Sequence, residues 1–400
     1  MKINKRNPKH WLLLFAFMGQ GILGLVLRWA TGHKHRDQKR QAVVNVILYG
    51  HKLNGNLLAL HDYSRSNPSI GLRPVFLSMD GAYCQELAAL GVDCVWAGGM
   101  GCSRILAGAT ALVSDHGLHS LQPLLGAYQR LGLRFFDVWH GFGFKGFDAD
   151  DYRTLHHYDE VWVASETQRE QYVRMAEFEP AIVHPTGYGR TDALVNRSHN
   201  PEGIIQHLGL NPSTCGKLVM FAPTWAQDDR GRSIYPFGCS EQKFLGALSD
   251  FASGHGVTVL FRSHMNSGDV SGGDYPGIVA LPGTRFPNTE ALLFISDALV
   301  CDWSSIAFDY LVLDRPTFFL DVPAPFAKGH SLGPECRFGP IVHGMEELLE
   351  GLRNALTDPQ RYWSIHGAAH LSTKQYVWGP YADGNATSRY VERLQLLCGH

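Results

Sequence analysis

The sequence predicts an α/β protein built from two doubly wound, Rossmann-type domains. Short, wholly apolar runs that end in polar turns alternate with helical stretches, the pattern of parallel strands buried on both faces by helices. The alternation halts at a polar stretch with Asn and Pro, NRSHNPEGIIQHLGLNPSTCG (196–216), and then begins again. The 400 residues, 45% hydrophobic, suffice for two cores of this kind. Open α/β sheets bind ligands outside the carboxyl ends of their strands. Two such domains facing a central cleft would therefore line it with the residues that follow each apolar run.

Residues 1–40 precede the first strand and differ from the rest. They hold Lys2, Lys5, Arg6, Lys9, Arg28, Lys34, Arg36, Lys39 and Arg40 against one acid, Asp37, a net charge of +8; the remainder carries −10 of a formal total of −2. The body thus lacks the general basic surface that a nucleic-acid backbone needs, and no nucleic-acid partner is expected. Within the basic segment, WLLLFAFMGQGILGLVL (Trp11–Leu27) carries no charge and is apolar all round. It reads as a membrane helix, spanning or in-plane, with basic flanks toward anionic lipid, as a signal peptide, or as a helix packed on the protein. No small-residue cleavage site follows it, and the basic flanks on both sides fix no orientation. Membrane association is the reading adopted. It makes 1–40 an association segment and linker, 41–200 the N-terminal domain and 201–400 the C-terminal domain.

The first strand is AVVNVILYG (42–50), buried and closed by glycine, followed by a loop and helix in HKLNGNLLALHDYSR. RPVFLSMD, ATALVSDHG, FFDVWHG and DEVWVAS are the next strands, and SETQREQYVRMAEF is one of the helices between them. After the boundary come KLVMFAPTW, GVTVLFRSH, DALVCDW and PTFFLDVP, with SIAFDYLVL as a helix following the third. The closing helix, NATSRYVERLQLLCG, has Asn385 or a neighbour as its cap.

Eight cysteines stand singly, without a CxxC pair, which argues for small buried residues in a reducing compartment rather than a zinc ribbon or redox pair. The pairs His33/His35 and His156/His157 lack metal-ligand spacing. Asp228 and Asp229 read as a solvated loop, so neither metal nor cofactor is expected.

Chemistry-bearing residues follow several strands. The run Ala298–Cys301 breaks at Asp302-Trp303-Ser304-Ser305 before apolar sequence resumes. At a strand's carboxyl end and a helix's start, such a turn offers hydroxyls and free N–H groups to a phosphate; the plain alternative is a serine cap. His140 and Lys145 follow FFDVW, Thr224 follows VMFAP, Arg262 and His264 follow VTVLF, and Arg190 and Asp192 lie in HPTGYGRTD.

Taken together these segments resemble the CDP-glycerol glycerophosphotransferase family, which includes teichoic-acid primases and polymerases and their capsule relatives. The matching motifs are Trp139-His140-Gly141-Phe142, Gly187 to Asp192, Ala222-Pro223-Thr224-Trp225, Arg262-Ser263-His264, Asp302-Trp303-Ser304-Ser305 with Phe308-Asp309, Gly339-Pro340-Ile341-Val342, and Asp383-Gly384 with Arg389; GHKLNGN resembles the family's first loop. The resemblance implies a GT-B-like fold with an acceptor-side N-terminal domain and a nucleotide-side C-terminal domain. It implies transfer of glycerol phosphate from CDP-glycerol to a lipid-linked or polymeric acceptor at the cytoplasmic face of the cell membrane, with release of CMP. On that basis Thr224, Asp302, Ser304, Ser305 and Asp309 belong to the donor side, with Asp302 and Asp309 also able to serve loop geometry. Arg262 and His264 stabilise the leaving phosphate. His140 is the general base, the opposite allocation to His264 remaining open, and Lys145, Arg190 and Asp192 lie on the acceptor side. Phe142, Met265 and Trp303, and the missing proline before Arg190, depart from the family pattern and bear on acceptor choice. The alternatives are a GT-B glycosyltransferase or epimerase acting on a nucleotide sugar, a CDP-ribitol transferase, and a non-catalytic nucleotide- or polymer-binding protein.

Overall fold

A computed structural model describes residues 7–36, 43–118, 122–139, 141–224, 234–262, 275–283 and 285–398. The chain forms two compact units: Met1–His140 with Ala149–Asp192 and Asn385–His400, and Gly141–Asp148 with Ala193–Gly384.

The first unit begins with helix α1 (Pro8–Arg36). Its sheet contains β1 (Val44–Tyr49), β2 (Leu72–Ser78), β3 (Cys94–Trp96), β4 (Ala111–Ser114), β5 (Arg134–Val138), β6 (Glu160–Val163) and β7 (Val183–Pro185). Helices α2 (Gly55–Ser66), α3 (Gly81–Ala89), α4 (Gly101–Gly108), α5 (Gln122–Arg130) and α6 (Glu166–Met175) connect the strands, and the short α7 (Asp192–Val195) follows β7. The order is β3-β2-β1-β4-β5-β6-β7, and every pair is parallel. Strands covered on both faces need apolar side chains on both, which is why β1, β4 and β6 read as mostly apolar runs. The short edge strand β3 escapes that reading: it has three residues, and Trp96 is exposed.

Helix α1 is long and apolar enough to cross a membrane by length and composition, yet one stripe of it is packed on its own unit. Phe17, Gly21, Gly24 and Arg28, spaced along one helical face, are buried. Gly24 permits the approach, since a Cβ there would stand 2.3 Å from Tyr128 Oη and 2.9 Å from Ser103 O. Tyr128 Oη donates to Gly21 O at 2.5 Å. The buried Arg28 guanidinium donates to the carbonyls of Ala107 (3.1 Å) and Ala109 (2.6 Å), where α4 ends, and of Leu131 (3.0 Å), just past α5, and so satisfies carbonyls at two helix ends. The opposite face stays apolar and exposed: Leu12, Phe15, Met18, Ile22, Val26 and Trp29.

The second unit repeats the plan. Helix α8 (Pro201–His207) precedes β8 (Lys217–Ala222), α9 (Glu241–His255), β9 (Val257–Phe261), β10 (Ile278–Ala280), α10 (Thr289–Ile295), β11 (Ala298–Cys301), α11 (Ile306–Leu311), β12 (Thr317–Leu320) and β13 (Ile341–Val342). Helices α12 (Met345–Thr357) and α13 (Pro359–Val377) follow. The order β10-β9-β8-β11-β12-β13 is again wholly parallel. Val219, Phe221, Phe244, Leu248, Val259 and Phe318 build one core beneath α9 and α12. The helix after β11 stops earlier than its apolar sequence suggests. Asp314, at φ 52°, takes a left-handed conformation and is held there by His370 Nε2 (3.0 Å) and Lys374 Nζ (2.8 Å), so α11 has only six residues. The last helix, α14 (Ala386–Cys398), returns to the first unit.

Candidate functional site

In each sheet the strand order reverses once, between β1 and β4 in the first unit and between β8 and β11 in the second. Doubly wound sheets open there, because neighbouring connections leave toward opposite faces.

In the second unit the residues at this point are Thr224, after β8, and Asp302 to Ser305, after β11. Asp302 is buried, and its Oδ1 accepts three hydrogen bonds: from Thr224 N (2.8 Å), Thr224 Oγ1 (2.5 Å) and Trp303 N (2.7 Å). One carboxylate oxygen thus ties the two strand ends together and spends the Thr224 hydroxyl proton. Trp303 is anchored by Nε1 to Val322 O (2.7 Å), lies edge-on to Phe144 and carries the Arg337 guanidinium 4.5 Å above its ring. Ser305 precedes α11 with helical backbone and makes no side-chain capping bond, so it is not the plain serine cap. Asp309 is buried one turn into α11. With six residues, α11 has a small dipole, and what the turn offers an anion is chiefly its hydroxyls and N–H groups.

Residues Gly141–Asp148 pack within this unit. Phe142 and Phe144 are buried against Phe308, which accounts for an aromatic ring at 142. Ser331 fixes the loop through N to Phe144 O (2.9 Å) and Oγ to Gly143 O (2.5 Å). Lys145 is exposed and forms an isolated antiparallel bridge with His330. Arg262 directs its guanidinium at protein: Phe286 O (2.6 Å), Leu281 O (3.1 Å) and Thr289 Oγ1 (3.0 Å). Burial pulls it down to about 10. It holds the 281–289 segment beside the strand ends.

In the first unit Asn56, at the start of α2, joins two motifs. Its Nδ2 donates to Trp139 O (3.2 Å), and its Oδ1 accepts from Arg190 N (3.1 Å). The Arg190 side chain lies over the Tyr188 ring at 4.7 Å. Asp192 caps α14 from almost two hundred residues away, accepting from Ala386 N (3.0 Å) and Thr387 N (2.8 Å); burial raises its pKa against those bonds. Tyr390 Oη bridges Gly189 N (2.8 Å) and Gly187 O (2.9 Å), Arg389 Nε donates to Thr186 O (2.6 Å), and Arg393 pairs with the buried Glu160. Arg190, Asp192 and the C-terminal helix are thus parts of one joint. His140 and His264 lie outside the described residues, as do Trp225, Asp228 and Asp229.

At the β1/β4 reversal stands a group of which the sequence motifs included only His51, in GHKLNGN. His51 follows β1, Asp115 and His116 follow β4, and the buried Asp137 lies on the neighbouring β5. The signal was in the chain as SDHG, but its meaning depends on the strand order. Among the described residues no group of three or more His, Cys, Asp or Glu is placed to hold a metal ion.

The model of the family described as CDP-Glycerol:Poly(glycerophosphate) glycerophosphotransferase matches residues 29–396. The teichoic acid poly(glycerol phosphate) polymerase of Staphylococcus epidermidis is 33% identical over 140 residues, covering 33% of this chain and 18% of that protein. The teichoic acid ribitol-phosphate polymerase TarK of Staphylococcus aureus is 26% identical over 276 residues, 64% of this chain and 51% of that one. The matches thus span about half or less of these relatives. The solved structure of the wall teichoic acid polymerase TagF aligns over 98% of both chains with a TM-score of 0.70 at 18% identity, which shows a shared GT-B-like fold.

Replacing Asp302 by Ala is expected to lower unfolding stability by about 3 kcal/mol, because buried donors lose their acceptor, whereas Asp302→Asn, which keeps an oxygen, costs roughly 1 kcal/mol. Urea unfolding checks this. An Ala variant within about 0.5 kcal/mol of the parent would disprove the clasp.

Proposed function

The chain belongs to the CDP-Glycerol:Poly(glycerophosphate) glycerophosphotransferase family, and from that premise we propose that it transfers glycerol phosphate from CDP-glycerol to a hydroxyl of a lipid-linked or polymeric acceptor in cell-surface polymer synthesis. The observation that carries this reading is the placement of Ser304 and Ser305, in the turn that Asp302 and Thr224 hold, at the reversal point of the second sheet, where a nucleotide's phosphates have N–H and O–H donors to meet.

The acceptor oxygen attacks the glycerol-side phosphorus, the P–O bond to CMP breaks, and negative charge grows on the leaving phosphate. Donors already fixed where that charge develops stabilise the transition state most, each worth on the order of 3 kcal/mol. Ser304, Ser305 and the turn's N–H groups supply them here. Asp302 and Thr224 set the turn's geometry, Asp309 stands behind it, and Arg262 shapes the adjoining segment. His264 acts on the leaving group and His140 on the acceptor side, with Arg190 and Asp192 building the first unit's edge and Lys145 offering charge to a phosphate-rich acceptor.

CDP-ribitol is the second reading for the donor. The support for it is that relatives named ribitol-phosphate polymerases align with 64% of this chain at 26% and 27% identity, beside relatives named poly(glycerol phosphate) polymerases that align with 33%, 42% and 46% of it at 33%, 27% and 25%.

The membrane partner is the exposed face of α1. Its other face is tied to α4 through Arg28 and Gly24, which supports a helix lying in the plane of the membrane surface. Its apolar face meets the acyl boundary, and the basic ends meet anionic headgroups.

Two results are expected. His140→Ala and His264→Ala each cut CMP release from CDP-glycerol or CDP-ribitol by at least about 100-fold while circular dichroism is unchanged; near-parental turnover in both would refute the assignment. Replacing Leu12, Phe15 and Ile22 by Ser weakens co-sedimentation with anionic vesicles by at least about tenfold. Undiminished sedimentation would count against the in-plane helix.

A further inference from the structure

The proposed transfer builds negative charge at the turn after β11, and a fixed cation stabilises that charge most in a site poor in water. Arg262, to which the motif reading gave this task, is taken up by three acceptors within the protein. A second guanidinium lies beside the turn. Arg337, ahead of β13, carries its Cζ 4.5 Å over the ring of Trp303, the residue between Asp302 and the two serines. That ring is held in place by its surroundings. Its Nε1–H donates to Val322 O (2.7 Å), just past β12, while Phe144 meets it edge-on at 5.3 Å and Phe326 at 6.2 Å. The guanidinium stacked on it is therefore located without the help of a carboxylate. No acid pairs with Arg337 among the described residues, and its one hydrogen bond is long, from Nε to Pro334 O at 3.5 Å. Nη1 is buried and has no acceptor.

A buried donor without an acceptor is unfavourable, and a charged one more so. Stacking on the indole engages the flat face of the guanidinium and leaves its rim of N–H groups unanswered. That rim matches an oxygen-rich anion, and the guanidinium fork can meet two phosphate oxygens at once. We infer that Arg337, seated on Trp303, donates to an oxygen of the nucleotide diphosphate at the turn after β11. The inference rests on the donor side of the transferase reading and names the cation that serves it. Trp303 is a positioning residue. An indole at 303 is one of the chain's departures from the family pattern, and here it serves as the guanidinium's seat. Burial pulls Arg337 below its ordinary value, and the charge of Asp321 opposes this. Asp321 is itself paired with His343, at 2.8 Å from Nδ1. A phosphate arriving at the turn thus meets a charged, poorly hydrated donor, the condition in which a charge-assisted hydrogen bond is strong.

The experiment titrates the full-length chain with CDP and with cytidine by calorimetry, and measures CMP release from CDP-glycerol and CDP-ribitol beside it. Arg337→Gln should weaken CDP binding at least about tenfold and leave cytidine binding within about twofold, because only the phosphates lose a partner. Arg337→Lys, which keeps the charge and gives up the fork, should fall between parent and Gln variant. NMR adds a test on the parent itself. The Arg337 guanidinium signal, identified by its absence from Arg337→Lys, should move on addition of CDP and stay in place with cytidine. A folded Arg337→Gln that binds CDP within about twofold of the parent, an equal loss for CDP and cytidine, or an unmoved signal would each overturn the inference while transfer by the parent stands. A signal that moves with glycerol phosphate but not with CDP would give the guanidinium to the acceptor and overturn it as well. A parent that neither binds CDP nor releases CMP from either nucleotide contradicts the transferase reading itself, and the role of Arg337 with it.

Discussion

One carboxylate oxygen holds the candidate donor edge together. Strand β8 ends in a loop and β11 ends in the turn toward α11, and the two connections leave the sheet in different directions. Without a tie, the reversal point would open into exposed backbone. Asp302 Oδ1 supplies it by taking both donors of Thr224 and the Trp303 N–H. Trp303 can then seat its indole under Arg337 and against Phe144, which pins the Gly141–Asp148 loop. The serines that follow are presented by this frame and take no part in it.

The first unit solves the same problem with an amide. Asn56 joins the carbonyl after β5 to the N–H of Arg190, and the Gly187–Asp192 segment in turn receives the C-terminal helix through Asp192 and Tyr390. Several charged residues at the strand ends are therefore occupied with architecture: Asp302 with strand ends, Asp192 with a helix terminus, Arg262 with three acceptors in one segment. Buried polar groups must find partners, and these partners lie within the protein. In the proposed reaction the hydroxyls and imidazoles carry the chemistry.

Much of this was legible in the sequence. Runs such as VNVILY, KLVMFA and ALVC are apolar on both faces and so declare parallel strands. Asp302 to Ser305 stood out because polar residues interrupt two segments that require burial. Cys94–Trp96 and Ile278–Ala280 were not legible, since a three-residue, partly exposed edge strand has no periodicity to detect. The early stop of α11 depends on Asp314 meeting His370 and Lys374 from a later helix. The capping of α14 by Asp192 links positions far apart in the chain, and no local pattern carries it.

The central claim is that the turn after β11 holds the phosphates of a CDP-alditol. Calorimetric titration of the full-length chain with CDP-glycerol, CDP-ribitol, CDP and UDP-GlcNAc tests it most directly, with the Ser304→Ala, Ser305→Ala double variant alongside. The account predicts saturable binding of one CDP-alditol, weaker binding of CDP, none of UDP-GlcNAc, and an affinity reduced at least about tenfold in the double variant. A preference for UDP-GlcNAc, or CDP-alditol binding that is indifferent to the loss of both serines, would contradict it.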